Sequence, residues 1–288
     1  RHHRCAVYSV TLGPVREDMY ATESIRAPRG QELSAVYGLS TRLKNEQDLV
    51  IVFGDSIRGN LVRELVSWGD SLGIPVKYVC LVDDCNSRGA VDMGVLPTPG
   101  GWTIREILAS PELDSLWIIG ANTLKQEPLA AGHAFVVVQD LFLTKTASHA
   151  DVVLPASSAY EKGGTMTNVC GEVQRLERAV QVEGTKPDLN IFQMIATAMK
   201  VPLRAANYAA VWDDISKSVP GYQIPRSKLT AENACSTTPG VPDDCAWDSS
   251  SVRSREDTIF TSGTLGRYCA TLGAVLESPS GLYRWPHY

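Results

Sequence analysis

Five strand-length apolar runs, spaced by helix-forming sequence, constrain this chain more than any other feature. Leu49-Val50-Ile51-Val52-Phe53 is apolar throughout, Val76–Val82 nearly so, and Ser115–Ile119, Phe135–Val138 and Asp151–Leu154 continue the series. A run without polar alternation predicts a strand covered on both faces, the condition of a parallel sheet between helices. Between the first two runs, Leu61, Leu65, Trp68 and Leu72 recur at helical spacing over 60–72, and Gly73 supplies the stop. Helices are also expected over 31–44, with Leu33, Val36, Tyr37 and Leu43 on one stripe, and over 103–109, behind a Thr103/Glu106 capping box. A last one follows Pro187-Asp188, with Leu189, Phe192, Ile195 and Met199 on one face. This alternation specifies an α/β fold on a doubly wound, mostly parallel, Rossmann-type sheet.

The pattern divides the chain into three. Residues 1–45 read as an irregular lead-in with a helix, 46–200 as the α/β domain, and 201–288 as an extended or partly disordered partner-binding tail. The tail reading rests on 220–258, which are dense in Pro, Ser, Thr, Asp and Gly and lose all period. With 44% apolar residues the chain can bury a sizeable core. A net charge of −5 and the lack of a basic stripe argue against a nucleic-acid partner. The apolar runs fall far short of the roughly 20 residues a membrane helix needs, so membrane association is expected only through protein partners. The chain begins at Arg1 without an initiator Met, which suggests a processed form or a fragment.

Seven scattered cysteines, odd in number and without a Cys-x-x-Cys pair, suggest mostly free thiols in a reducing compartment. No metal site made by this chain is expected, and Cys80 reads as a buried strand residue. Ser148, His149 and Asp151 are neighbours in sequence, which is not how a catalytic triad is assembled, and His149 reads as a surface or helix-end residue. In an open parallel sheet, ligands sit beyond the carboxyl ends of the strands. Those ends are Gly54-Asp55-Ser56, Asp83-Asp84, Gly120-Ala121-Asn122 and Gln139-Asp140. Gly54 and Gly59 could open a helix N-terminus to phosphate, with Asp83 on a ribose hydroxyl. Plain turn chemistry explains the same residues, since Gly54 to Gly59 is no Gly-x-Gly-x-x-Gly fingerprint.

Two longer segments are more specific. The first is Cys85-Asn86-Ser87-Arg88-Gly89-Ala90-Val91-Asp92-Met93-Gly94-Val95-Leu96-Pro97. The second runs from Gln139-Asp140 through Thr144-Lys145-Thr146-Ala147 and Ala150-Asp151-Val152-Val153-Leu154-Pro155. It continues over Glu161-Lys162-Gly163-Gly164-Thr165-Met166-Thr167-Asn168 to Gly171-Glu172-Val173-Gln174-Arg175. In order and spacing both resemble elements of the molybdopterin oxidoreductase superfamily, and Ser262-Gly263-Thr264-Leu265 resembles the entry to its C-terminal barrel. Within the superfamily the chain is most similar to the large iron–sulfur (G) subunit of NADH–quinone oxidoreductase, respiratory complex I, which generally keeps the domain as a scaffold without pterin.

Three departures from the catalytic, formate-dehydrogenase-like members point that way. Val82 stands where those enzymes place a substrate arginine. Cys170 and Glu172 stand where the family has Glu and Arg, and a carboxylate facing an anionic pyrophosphate would be unfavourable. The part bringing a metal-ligating residue, and the closing barrel, are not seen. The resemblance therefore implies no catalytic residue, no metal and no cofactor on this chain. Asp83, Asn86, Thr146, Asp151, Thr165 and Asn168 are the vestigial pterin-site candidates. Iron–sulfur clusters and FMN are expected on partner subunits of the peripheral arm, above all its cluster-bearing part. The expected location is peripheral on the inner membrane, on the mitochondrial matrix or bacterial cytoplasmic side. The alternative is a truncated or split molybdopterin enzyme holding a pterin guanine dinucleotide; a free-standing nucleotide-binding module is a third reading.

Overall fold

A computed structural model describes residues 5–237, apart from 29, 55, 56, 58, 83, 98, 99, 126, 127, 206, 231 and 232. The described chain forms two compact units, one up to Val82 and one from residue 84 onward.

The first unit opens with β1 (Tyr8–Thr11) and β2 (Glu23–Arg26), paired in parallel. Short helices α1 (Glu32–Tyr37) and α2 (Ser40–Leu43) follow, so the single helix expected over 31–44 is broken at Gly38-Leu39. Then come β3 (Leu49–Phe53), α3 (Asn60–Ser71) and β4 (Val76–Cys80), a crossover unit whose two strands pair in parallel, Val50 opposite Lys77 and Val52 opposite Val79. The expected helical stripe is the one that packs. Leu65 and Leu72 are buried, and Leu61 and Trp68 join Ile51 and Phe53 of β3 and Tyr78 of β4 around the buried cluster of Leu33, Ile57 and Leu65.

The second unit carries α4 (Ser87–Asp92), α5 (Ile104–Ala109), β5 (Ser115–Ile119), β6 (Phe135–Asp140) and β7 (Val152–Pro155). Strands β5, β6 and β7 pair in parallel in that order. Thr103 begins α5 as the sequence requires: its hydroxyl accepts from Glu106 N at 3.3 Å and the Glu106 carboxylate accepts from Thr103 N at 2.6 Å. One face of this sheet, Ile118, Val136 and Val138, closes on Leu108, Leu124 and Ala147. Beyond it lie the antiparallel pair β8 (Gly164–Thr167) and β9 (Glu172–Leu176), then α6 (Asp188–Ala198) and α7 (Tyr208–Ser218). Phe192 of α6 meets Trp117 of β5 edge-on, ring centres 5.4 Å apart. The short β10 (Cys235–Ser236) pairs with β9.

The chain is thus mixed α/β with mostly parallel small sheets, the class expected. Three details differ. Not every apolar strand is covered on both faces: β6 is, but Val50 and Val52 of β3 are more than half exposed, because α3 covers only the side carrying Leu49, Ile51 and Phe53. An apolar run does not record whether its second face meets another element. The second run stops at Cys80, which is exposed and not a buried strand residue. Finally, the core continues past 201. Trp212 of α7, with Tyr222, Ile224 and Leu229, is buried against Val173 of β9. The stripe Val211, Trp212, Ile215 and Val219 has helical spacing and was a signal the sequence reading passed over, whereas Tyr222, Ile224 and Leu229 lie in loop sequence without a period.

Candidate functional site

The first motif is a tight local device. Asn86 precedes α4, and its Oδ1 accepts the Thr167 N–H of β8 at 2.9 Å, as a neighbouring strand's carbonyl would. Gly89, one turn on, leaves room for that side chain: a Cβ there would lie 2.3 Å from Asn86 Oδ1. On the next turn Arg88 Nε lies 2.9 Å from both carboxylate oxygens of Asp92. Asp92 Oδ2 also accepts the Tyr222 hydroxyl at 2.7 Å, and Tyr222 Oη and Thr167 Oγ1 share a hydrogen bond at 2.9 Å. Asp92 is almost wholly covered, its side chain 6% exposed. Burial, and the bond to the Asp92 carboxylate, push the Tyr222 phenol up to about 12, against the opposing bond from Thr167.

The second motif is equally occupied with its own backbone. Thr146, wholly buried, donates its N–H and hydroxyl to Asn122 Oδ1 at 3.0 and 2.8 Å and accepts Leu124 N–H at 3.0 Å. It ties the loop after β5 to the turn after β6. Asp151 Oδ2 accepts Val136 N–H at 2.7 Å and holds the start of β6. Glu161 accepts Ser158 N–H at 2.9 Å and the Thr185 hydroxyl at 2.7 Å, and bonds from Ser158, then Thr185, hold its carboxyl below the usual range. Asn168 closes the β8–β9 turn. Its Oδ1 accepts Cys170 and Glu172 N–H, both at 3.0 Å, and its Nδ2 donates to the Glu172 carboxylate at 2.8 Å. His149 ends a short 3-10 turn, exposed, its Nδ1 2.8 Å from the Lys145 carbonyl.

Beside β8 lies a cavity of about 960 Å³, walled by β8, the end of β9, α6, α7 and the turn at 226–229. Asn86 and Thr165 line it, whereas Thr146, Asp151 and Asn168 are not among its lining residues. Asp83 falls outside the described residues, as do Asp55 and Ser56 of the first strand end. Gly59 there is the N-cap of α3 at φ 54°, a backbone that favours glycine, so its place in the sequence has a conformational explanation. At one end of the cavity Asp188 bridges the Lys162 ammonium, in a short ion pair, and Gln139 Nε2 at 2.6 Å. Gln139 is fully buried and its Oε1 has no hydrogen-bond partner among the described residues. Burial, then the Asp188 carboxylate, raise the Tyr208 phenol at the rim. Sequence reading named Gln139 at a strand end but missed Tyr222 and Asp188 as site residues; of their partners, the Arg88/Asp92 spacing, four apart on a helix, was a local signal.

Pterin contact demands side-chain donors and acceptors that face a ligand. Thr146, Asp151 and Asn168 instead turn polar atoms to groups of the chain itself and stand away from the cavity, so as placed these three do not fit that group, whereas Asn86, whose Oδ1 is taken by Thr167 N–H, and Thr165 line the cavity. Among the described residues, no three His, Cys, Asp or Glu side chains cluster closely enough to hold a metal.

An α/β chain whose two motif segments brace one another in this way belongs to the molybdopterin oxidoreductase family, whose model matches residues 23–198. A G subunit of NADH-quinone oxidoreductase from Rhizobium meliloti is 26% identical over 95% of this chain and 39% of its own length. A formate dehydrogenase candidate of Staphylococcus haemolyticus is 39% identical, over 44% of this chain and 14% of its own length. One from Staphylococcus aureus is 46% identical over 31% and 9% respectively. The chain therefore spans well under half the length of each of these relatives.

Proposed function

We propose that this chain is a redox-silent structural part of an NADH–quinone oxidoreductase of the complex I type, equivalent to part of its G subunit. The observation that carries the reading is the use of the motif side chains: Asn86, Thr146, Asp151 and Asn168 hold strands and turns together. A motif that serves its own backbone can be retained for folding after catalysis is lost. The similarity running over 95% of the chain to a G-type relative supports it. In this reading iron–sulfur clusters and FMN belong to partner subunits, and the chain supplies mass, shape and contact surface on the peripheral arm. It lies against the membrane's inner face only through those partners; no helix among the described residues is long and apolar enough to cross a membrane.

A second reading, a formate-dehydrogenase-like enzyme part that contacts a pterin guanine dinucleotide, is favoured by the higher identity of the shorter matches. Gentle extraction of the native particle, subunit identification by mass and elemental analysis separate the two. Co-migration with flavin- and cluster-bearing subunits, without stoichiometric molybdenum or tungsten, is expected. Stoichiometric metal in a particle that lacks those subunits would overturn the first reading.

A further inference from the structure

The ladder of β8 and β9 fixes which backbone groups of β8 point where. Asn168 donates its N–H to the Glu172 carbonyl at 2.9 Å, so these two form a hydrogen-bonded pair in the register that sets Thr167 opposite Val173 and Thr165 opposite Arg175. Antiparallel pairs alternate between bonded and non-bonded. Met166 with Gln174, and Gly164 with Leu176, are therefore the next bonded pairs, and Thr165 and Thr167 aim their N–H and C=O groups away from β9. β8 is the edge of its three-stranded sheet. At Thr167 the outward N–H is taken by Asn86 Oδ1, a side chain standing in for a strand. Two residues back, the outward N–H and C=O of Thr165 meet no partner among the described residues, and Thr165 faces the cavity.

We infer that this edge takes an extended, acidic segment of a partner polypeptide, which adds to β8 as a fourth strand. Three features specify the occupant. An unpaired main-chain donor and acceptor on one residue match the two groups that a residue of an extended peptide presents. The cavity's lining carries three cations, Lys162, Arg175 and Arg226, which pair in the structure with Asp188, Glu177 and Asp213, so an acidic occupant would bind by taking over the weaker of these pairs. The ion pair of Arg175 with Glu177 is exposed, and that of Arg226 with Asp213 is long at 3.5 Å, so both arginines exchange partners at little cost. Phe192, half-buried on α6, offers a shelf for one large apolar side chain. A second copy of this chain is disfavoured, because its own β8 edge would bring the same cations face to face.

The full chain is titrated with a labelled probe, acetyl-Glu-Thr-Phe-Thr-Glu-Thr-Phe-amide, by fluorescence anisotropy, and the Thr165 amide is followed by hydrogen exchange. Saturable binding that protects the Thr165 amide is expected. Thr165→Pro should weaken binding at least tenfold while leaving the β8–β9 ladder intact, since the lost N–H points away from it. The same probe N-methylated at alternate nitrogens should also lose tenfold on the unaltered protein, an arm that does not depend on any variant's folding. A Lys-for-Glu probe should bind more weakly, and Arg226→Glu should narrow that difference. Equal binding of the methylated probe, or none of the acidic one, overturns the inference. So does a Thr165 amide already protected in the isolated monomer, which would mean the chain covers its own edge, or a dimer that Thr165→Pro dissociates.

Discussion

Replacing Tyr222 by Phe removes a single oxygen and leaves the ring where it packs, 6.2 Å from Trp212. The oxygen joins Asp92 at 2.7 Å and Thr167 at 2.9 Å, and so couples the first motif to β8 through a residue 130 positions from Asp92. A hydrogen bond to a charged group contributes about 1.5–3 kcal/mol and a neutral one about 0.5–1.5. Asp92 keeps both contacts to Arg88, which offsets part of the loss. Tyr222→Phe is therefore expected to cost about 2–4 kcal/mol, roughly 5–15 °C in Tm for a unit of this size. Urea unfolding followed by circular dichroism, with exchange at the Thr167 amide reporting the same region, measures it. A loss below about 0.5 kcal/mol, within the scatter of surface substitutions, would refute the claim that this hydroxyl braces the motif. The sign of the pH dependence is fixed as well. A phenol raised from 10.0 to about 12 stabilises the fold fully below the unfolded value. That contribution is lost as pH rises from about 10 through 12, and Tyr222→Phe should lack this step.

Other consequences are sharp enough to measure. Gly89→Ala gains up to about 1 kcal/mol of helix propensity but displaces the Asn86 amide from Thr167, so a net loss of about 1 kcal/mol is expected. In an Asn86→Ala background, denaturant titration should find the same substitution neutral or stabilising. Glu161→Ala leaves Ser158 N–H buried without its acceptor and should cost about 1–3 kcal/mol. Because the Glu161 carboxyl is lowered from the ordinary 4.5, its contribution is present above that pH and disappears as pH falls through the folded value, so an acid unfolding curve of the variant should lack that limb. Leu65→Ala in α3, at 2% exposure, should cost about 2–5 kcal/mol by thermal melting of the first unit.

Much of the fold was legible in short windows of sequence. The Leu61/Leu65/Trp68/Leu72 stripe, the Thr103/Glu106 capping box and the apolar strand runs each depend on neighbours a few residues apart, where backbone geometry sets which side chains share a face. The two motifs, too, named the right neighbourhood, since Asn86 and Thr167 meet across the fold. What those residues do there was decided elsewhere. Whether Asn86 faces a ligand or a backbone N–H depends on where β8 runs, 81 residues later, and whether Asp92 is buried depends on Tyr222. The Asp188 bridge to Gln139 and the open edge at Thr165 likewise exist only once separate segments are packed. Local sequence determines periodicity and caps because those interactions close within a turn or two. The partners of a polar side chain in the core are set by loop closure over tens of residues, on which no local pattern bears.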